Sequence, residues 1–373
     1  MKRTFLLLTI VMLFCGCNGN RLKITVTNPL SFDRSSEMIE IQIADITSKI
    51  KDCTPAQLIV VDSKGKELQS QLIYNGKPEP ISLIFQAKVA ANSKSVFYIG
   101  KGVPLTETPL AYGRFVPERM DDYAWENDRI AFRIYGPALI AKDGPSNGLD
   151  VWIKRTDKMV IDKWYADYLS GKNTYHDDNG EGCDCYKVGR TLGAGAMAPF
   201  VNDSLWLGIN FESYETLDNG PLRTSFRLKY PPFPVNGVMV SETRTISLDA
   251  GSQLTKIIEE YSGLNEVFPV AAGIVERPEG SPLTTEAVAI AYRLDGGEGG
   301  ITYIGTILTT PVTSRPEKSN HLLIVTNYIP GTPLTYYTGA GWSKWGFETD
   351  KAWTDYLNNF AQCLNAPLKV VTE

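Results

Sequence analysis

The residue types that could do chemistry are concentrated between Lys163 and Tyr186. Lys163, Trp164 and Tyr165 come first, then Tyr175 and His176, then Asp177, Asp178, Glu181, Asp184 and Tyr186. His176 is one of two histidines in 373 residues, and it stands among four carboxylates, Cys183, Cys185 and three glycines. A core has no use for such a cluster, because each buried carboxylate would need its own partner. Solvated loops are often acidic, but they rarely add a histidine and flanking tyrosines. The segment reads as the rim of a polar-ligand site.

The surrounding elements are strands. Leu22–Val26 and Ile39–Ile43 alternate apolar and polar residues, and Asn75-Gly76 is a hairpin signal after Leu72–Tyr74. With Leu58–Asp62, Leu83–Val89 and Ser95–Ile99 they make about six strands over 22–103, at the spacing of a β-sandwich. Lys101 to Pro109 reads as a linker. About a dozen longer strands follow, from Arg129–Tyr135 to Leu334–Thr338, and they predict a large antiparallel sandwich over 111–373. Only Asp350–Leu364 has a helical period, carried by Trp353, Tyr356, Leu357, Phe360 and Leu364. The fold class is all-β with one C-terminal helix.

Lys2 and Arg3 followed by the apolar run Phe5–Phe14 form a processing signal too short to span a bilayer. Gly16-Cys17 at its end resembles a bacterial lipoprotein cleavage site, which makes 1–17 a signal peptide and Cys17 the acylated residue. Ordinary cleavage nearby, with Cys17 lost or free, is the alternative. The expected location is the periplasmic side of a membrane, held there through the lipid on Cys17. A net charge of −5 without a basic stripe argues against nucleic acid. Cys53, Cys183, Cys185 and Cys363 follow Cys17, and a chain this long can bury a core without a disulfide framework.

Several motifs together resemble a known family. They are Trp125-Glu126-Asn127-Asp128-Arg129-Ile130-Ala131-Phe132-Arg133, Ile161-Asp162-Lys163-Trp164-Tyr165 and Tyr175-His176. Gly180-Glu181-Gly182 with Asp184 and Tyr186, Asn219-Gly220-Pro221, and Tyr337 with Gly339-Ala340-Gly341-Trp342 complete the set. The chain resembles the domain of unknown function 4861 family, secreted proteins and lipoproteins of bacteria that consume complex glycans. The resemblance covers almost the whole mature chain. It implies a supersandwich similar to galactose mutarotases and the β-domains of polysaccharide lyases. One branch resembles oligosaccharide dehydratases that make an unsaturated uronic acid at a non-reducing end. The implied partner is an acidic oligosaccharide.

A uronate-directed elimination needs a cation on the carboxylate, a base at the C5 proton and an acid for the departing C4 oxygen. His176 and Tyr186 are the candidate proton-transfer groups, with Tyr186 taking the C5 proton and His176 protonating the leaving group. Lys163 and Arg223 are the candidate carboxylate partners, Arg223 offering a bidentate fork. Against this, His176 could cap a loop, Tyr186 could pack in the core, and Lys163 and Arg223 could make surface ion pairs. Glu181 and Asp184 line the same segment, and His321 could enter the cleft from a strand. Trp125, Trp164, Tyr165, Tyr337 and Trp342 are candidate sugar platforms, with core packing as the competing role.

Other readings stay open. Glu126 with Asp128, or Glu181 with Asp184, could be the carboxylate pair of a glycoside hydrolase or mutarotase-like enzyme. A non-catalytic glycan-binding lipoprotein would use the aromatic residues alone. No cofactor is expected. Asp177, Asn179, Glu181 and Gly182 match the first half of a calcium loop, but Val188 stands where the bidentate glutamate belongs. His176, Cys183 and Cys185 would be a poor zinc set in an exported protein. Gly339 and Gly341 are expected to let backbone pass close to a ligand or a neighbouring strand.

Overall fold

Alternation of apolar and polar residues becomes two layered β-structures in the computed structural model, which describes residues 21–373. The signal peptide and Cys17 lie outside the described residues. In the first structure Arg21–Thr27, Lys94–Lys101, Leu58–Asp62 and Glu67–Leu68 form one sheet, and Arg34–Gln42, Ser82–Val89 and Ser70–Ile73 form the other. Leu22, Ile24 and Val26 on one sheet meet Ile39, Ile41 and Phe85 on the other, each nearly or wholly inaccessible. The chain's end returns to this sandwich, because Lys369–Thr372 pairs antiparallel with Arg21–Thr27.

The larger structure contains an eight-stranded sheet running, in spatial order, Ser213–Asn219, Arg223–Val235, Val238–Asp249, Leu254–Ser262, Leu334–Trp342, Ile301–Leu308, Ala289–Asp295 and Gly280–Leu283. A five-stranded sheet centred on Phe268–Val275 packs against it, and a second is centred on Ile130–Ile134. Their inner faces share one core, with Phe132, Val151, Phe226, Ile246, Ile274 and Leu323 at its centre. All the named strands pair antiparallel, so the all-β fold class expected from the alternation is what is found.

Helix Asp350–Asn365 is the one expected from its period. Trp353, Leu357 and Ala361 bury against Tyr303 and Ile307, and the Thr349 side chain accepts from the Ala352 amide. Among the described residues three shorter α-helices were not expected, and one of them carries candidate site residues. Residues Ile161–Leu169 form a helix rather than a loop, so Lys163, Trp164 and Tyr165 stand on a rigid element. Ile161, Trp164 and Tyr165 repeat at i, i+3 and i+4 and pack on Trp152 of the sheet below. Among the described residues no helix is long and apolar enough to cross a membrane.

Candidate functional site

The sheet Ala111–Val116, Asp122–Asn127, Ile130–Ile134, Leu149–Lys154 and Gly182–Cys183 turns one face to the main core. Its other face carries charge. Arg133 and Asp150 are register partners on adjacent strands, and Arg133 Nη2 donates to Asp150 Oδ2 at 2.5 Å and to Asp184 Oδ2 at 2.7 Å. Asp122 faces Arg119 at 3.6 Å and Arg133 at 4.0 Å. Tyr135 donates its hydroxyl to Asp150, and the Tyr175 hydroxyl accepts from Arg119 and Arg133. Three buried carboxylates thus share the buried Arg133 guanidinium and the partly exposed Arg119. Burial first, then neighbouring carboxylate charge, pushes Asp150 up to about 7, while burial pushes Asp122 up to about 6 and also raises Asp184.

His176 sits over this network. Its Nδ1 donates to the Asp184 backbone carbonyl at 3.0 Å and lies 3.5 Å from Asp184 Oδ2. That fixes the proton of the neutral ring on Nδ1 and leaves Nε2 as the acceptor. The imidazole is 53% exposed while the Asp184 side chain is 2% exposed. Tyr168, 40% exposed, packs edge-on to His176 with ring centroids 6.3 Å apart. Tyr168 also lines a depression of about 420 Å³ with Lys172 and Asp177. Lys163 and Lys172 both bind Asp167, and Lys163 also holds Glu181 at 3.0 Å. Glycine is required at Gly182, whose φ is +119° and where a Cβ would stand 2.0 Å from the Ile153 carbonyl oxygen.

The sequence-derived candidates therefore divide. His176 pairs with Asp184, and Lys163 pairs with Glu181. Tyr186 does not join them as a proton-transfer group: it is buried, its hydroxyl donates to the Gly193 carbonyl at 2.9 Å, and burial drives its pKa far up. His321 is a structural histidine, accepting from the Leu192 amide at 3.0 Å through Nε2 and donating to the Ser319 carbonyl through Nδ1. A sugar platform needs an exposed ring face, and four of the five aromatic candidates lack one. Trp125 is fully buried against Phe132, Trp164 and Tyr165 pack on Trp152, and Trp342 is buried with its indole N–H on the Gly299 carbonyl.

Arg223 lies elsewhere. It binds Asp249 at 2.5 Å and Glu40 at 2.9 Å in a groove of about 670 Å³, which it lines together with Tyr337. The groove runs between the N-terminal sandwich, the outer face of the eight-stranded sheet and helix Asp350–Asn365, and neither His176 nor Lys163 lines it. The proposed convergence of Arg223 with His176 is therefore not found.

The paired carboxylates and calcium-loop residues have other partners. Glu126 accepts from Lys154 and from two backbone amides, and Asp128 accepts from the Gly251 amide. Glu181 is held by Lys163 and the Trp164 indole, and Asn179 donates to the carbonyls of Thr174 and Asp177. Gly339 lets a strand pass: its Cβ would stand 2.0 Å from the Gln253 carbonyl oxygen. Sequence reading missed Arg133, Asp150, Asp122 and Tyr168. A usable signal was there, since Arg133 and Asp150 each set a charge among the apolar residues of a strand.

Comparison with known proteins adds the family. Uncharacterized protein P7 of Formosa agariphila is 32% identical, over 96% of each chain. Among solved structures, a glycosyl hydrolase family 38 protein and an α-mannosidase, both from Enterococcus faecalis, superpose with TM-scores of 0.51 and 0.52 at 10% identity. Each match covers 95% of this chain but only 47% and 46% of those structures, so the chain spans about half their length. That likeness concerns the fold. The family model described as Domain of unknown function (DUF4861) matches residues 26–370, and the chain belongs to that family.

Proposed function

We propose that the protein processes carbohydrate, acting as a carbon–oxygen lyase that eliminates across C4–C5 of a uronic acid at the end of an oligosaccharide. The observation that carries the reading is the half-exposed His176, oriented through Nδ1 by Asp184, which is itself held by the buried Arg133. An imidazole fixed in one tautomer above a buried acid is the arrangement a general base needs. His176 Nε2 takes the C5 proton, and the released electron pair forms the C4–C5 double bond as the C4–O bond breaks. The departing oxygen takes a proton from the Tyr168 hydroxyl and leaves as water or as a sugar hydroxyl. Lys163, 50% exposed on the adjacent helix, neutralises the carboxylate that acidifies C5. Relative to the sequence reading, the histidine becomes the base and Tyr168 replaces Tyr186 as the tyrosine.

The test is ultraviolet absorbance of the unsaturated product from glucuronate- and iduronate-ended oligosaccharides, with wild type and His176→Ala compared. Loss of a positioned base typically costs ~10²–10⁴ in rate. Because His176 is half exposed, its removal is expected to leave thermal stability unchanged. Near-normal turnover in the folded variant would exclude the assignment. New reducing ends without absorbance would indicate hydrolysis, and saturable binding without turnover would indicate a binding protein.

A further inference from the structure

We propose that the groove between the N-terminal sandwich and the eight-stranded sheet is a second carbohydrate subsite, which takes an anionic sugar group, carboxylate or sulfate ester, on Lys256 and Arg129. Strand register builds it. Arg223 pairs with Asp249, Ser247 with Lys256, and Lys256 with Tyr337, so these side chains form a row across four strands on the sheet's outer face. The groove's carboxylates already have partners. Arg223 holds Glu40 and Asp249, Arg34 holds Glu37 at 2.8 Å, and Asp33 accepts from the Ala91 amide at 2.9 Å. Lys256 Nζ makes no hydrogen bond or ion pair among the described residues, although the charges of Asp249 and Glu40 act on it. It is half-buried, and that burial together with the Arg223 charge lowers its pKa. A ligand anion would give this ammonium the partner that it lacks.

Two further features suit a sugar. Arg129 opens onto the same groove with its side chain 43% exposed, and its ion pair with the adjacent Asp128 is long, at 3.3 Å. Trp345, 38% exposed, also lines the groove and offers an indole face for the apolar side of a pyranose ring. Tyr337 packs edge-to-face on Phe360, which also lines the groove, ring centroids 5.0 Å apart. The volume, about 670 Å³, lies within the usual ~300–1,000 Å³ of small-ligand sites.

The experiment is calorimetric titration of the full chain with D-glucuronate, D-glucose 6-sulfate and, as the uncharged control, D-glucose. At least one anionic sugar is expected to bind where glucose does not, and which one does so identifies the group. Lys256→Gln is expected to weaken that binding about 10-fold or more, the loss typical of a charged hydrogen bond. Trp345→Ala should weaken it as well, while His176→Ala should leave it unchanged. Anionic sugars binding no better than glucose, or unaltered binding in Lys256→Gln, would overturn the proposal. Binding lost in His176→Ala but kept in Lys256→Gln would assign the anion to the His176 rim and overturn it too. Since this test does not use turnover, it stands or falls separately from the lyase reading.

Discussion

Glu126, a sheet residue, caps the helix that carries Lys163: its carboxylate accepts from the backbone amides of Val160 and Ile161 at 2.8–2.9 Å. The same carboxylate holds Lys154 Nζ at 2.7 Å, with both side chains wholly buried. One buried group therefore satisfies a helix N-terminus and pairs with a lysine whose burial lowers its pKa. Removing it by Glu126→Ala leaves two buried amides unpaired and the buried Lys154 amine with only the Asn127 carbonyl as partner. The expected loss is about 3–5 kcal/mol in urea unfolding. Adding Lys154→Met should recover part of that loss. A single-variant loss under about 1 kcal/mol would show that water or another group replaces the cap.

Tyr186→Phe separates packing from catalysis. The Gly193 carbonyl that accepts from Tyr186 also accepts from the Val275 amide, so losing the hydroxyl does not strand it. The expected cost is about 1 kcal/mol, read as a small drop in the unfolding midpoint. Turnover of a uronate-ended oligosaccharide should persist in Tyr186→Phe and fall sharply in Tyr168→Phe. The reverse pattern would return Tyr186 to the mechanism.

How much could be read from the sequence follows from what each signal depends on. Strand alternation is local, so Arg21–Thr27, Leu58–Asp62 and Val238–Asp249 were legible within a few residues, as was the 3.6-residue period of Asp350–Asn365. Helix Ile161–Leu169 was missed because it is short and its start is capped by Glu126, 34 residues upstream. The aromatic candidates failed for a related reason. A tryptophan suits a sugar face and a core equally well by type, and only tertiary packing puts Trp125 on Phe132 and leaves Trp345 open. The pairing of His176 with Asp184 was legible because a histidine among carboxylates is unusual at short range. Arg223 was misplaced because sheet order, set by long-range pairing, carries it to the groove.

His321 gives stability a pH dependence. Burial, the larger effect, lowers its pKa below the ordinary 6.5, against the donated Ser319 bond that raises it. The unfolded chain then binds a proton that the folded chain resists, so the contribution is present above about 6.5 and is lost as pH falls below it. His321→Gln should abolish that part of the profile while weakening the fold at neutral pH by about 1–3 kcal/mol, through the Leu192 amide it leaves unpaired. Chemical denaturation between pH 5 and 8 measures both. An unchanged profile in the variant would mean that His321 binds its proton equally well folded and unfolded.

Asp150 works in the opposite direction. Three carboxylates, Asp122, Asp150 and Asp184, face Arg119 and Arg133, so full ionisation leaves one negative charge in excess in a buried place. Burial first, and the Asp184 charge second, raise the Asp150 pKa from 3.8 to about 7, so the site retains one proton and the excess is removed. The folded protein then holds a proton that the unfolded chain releases. Stability contributed by this site is greatest at or below pH 3.8 and declines as pH rises to about 7, by at most about 1.4 kcal/mol per pH unit. Asp150→Asn keeps an oxygen for Arg133 and removes the surplus charge. The difference in stability between wild type and Asp150→Asn should therefore shift in the variant's favour from pH 4 to pH 7, and the contribution of His321 cancels in that difference. A difference that stays flat over this range would show that Asp150 holds no extra proton in the folded protein.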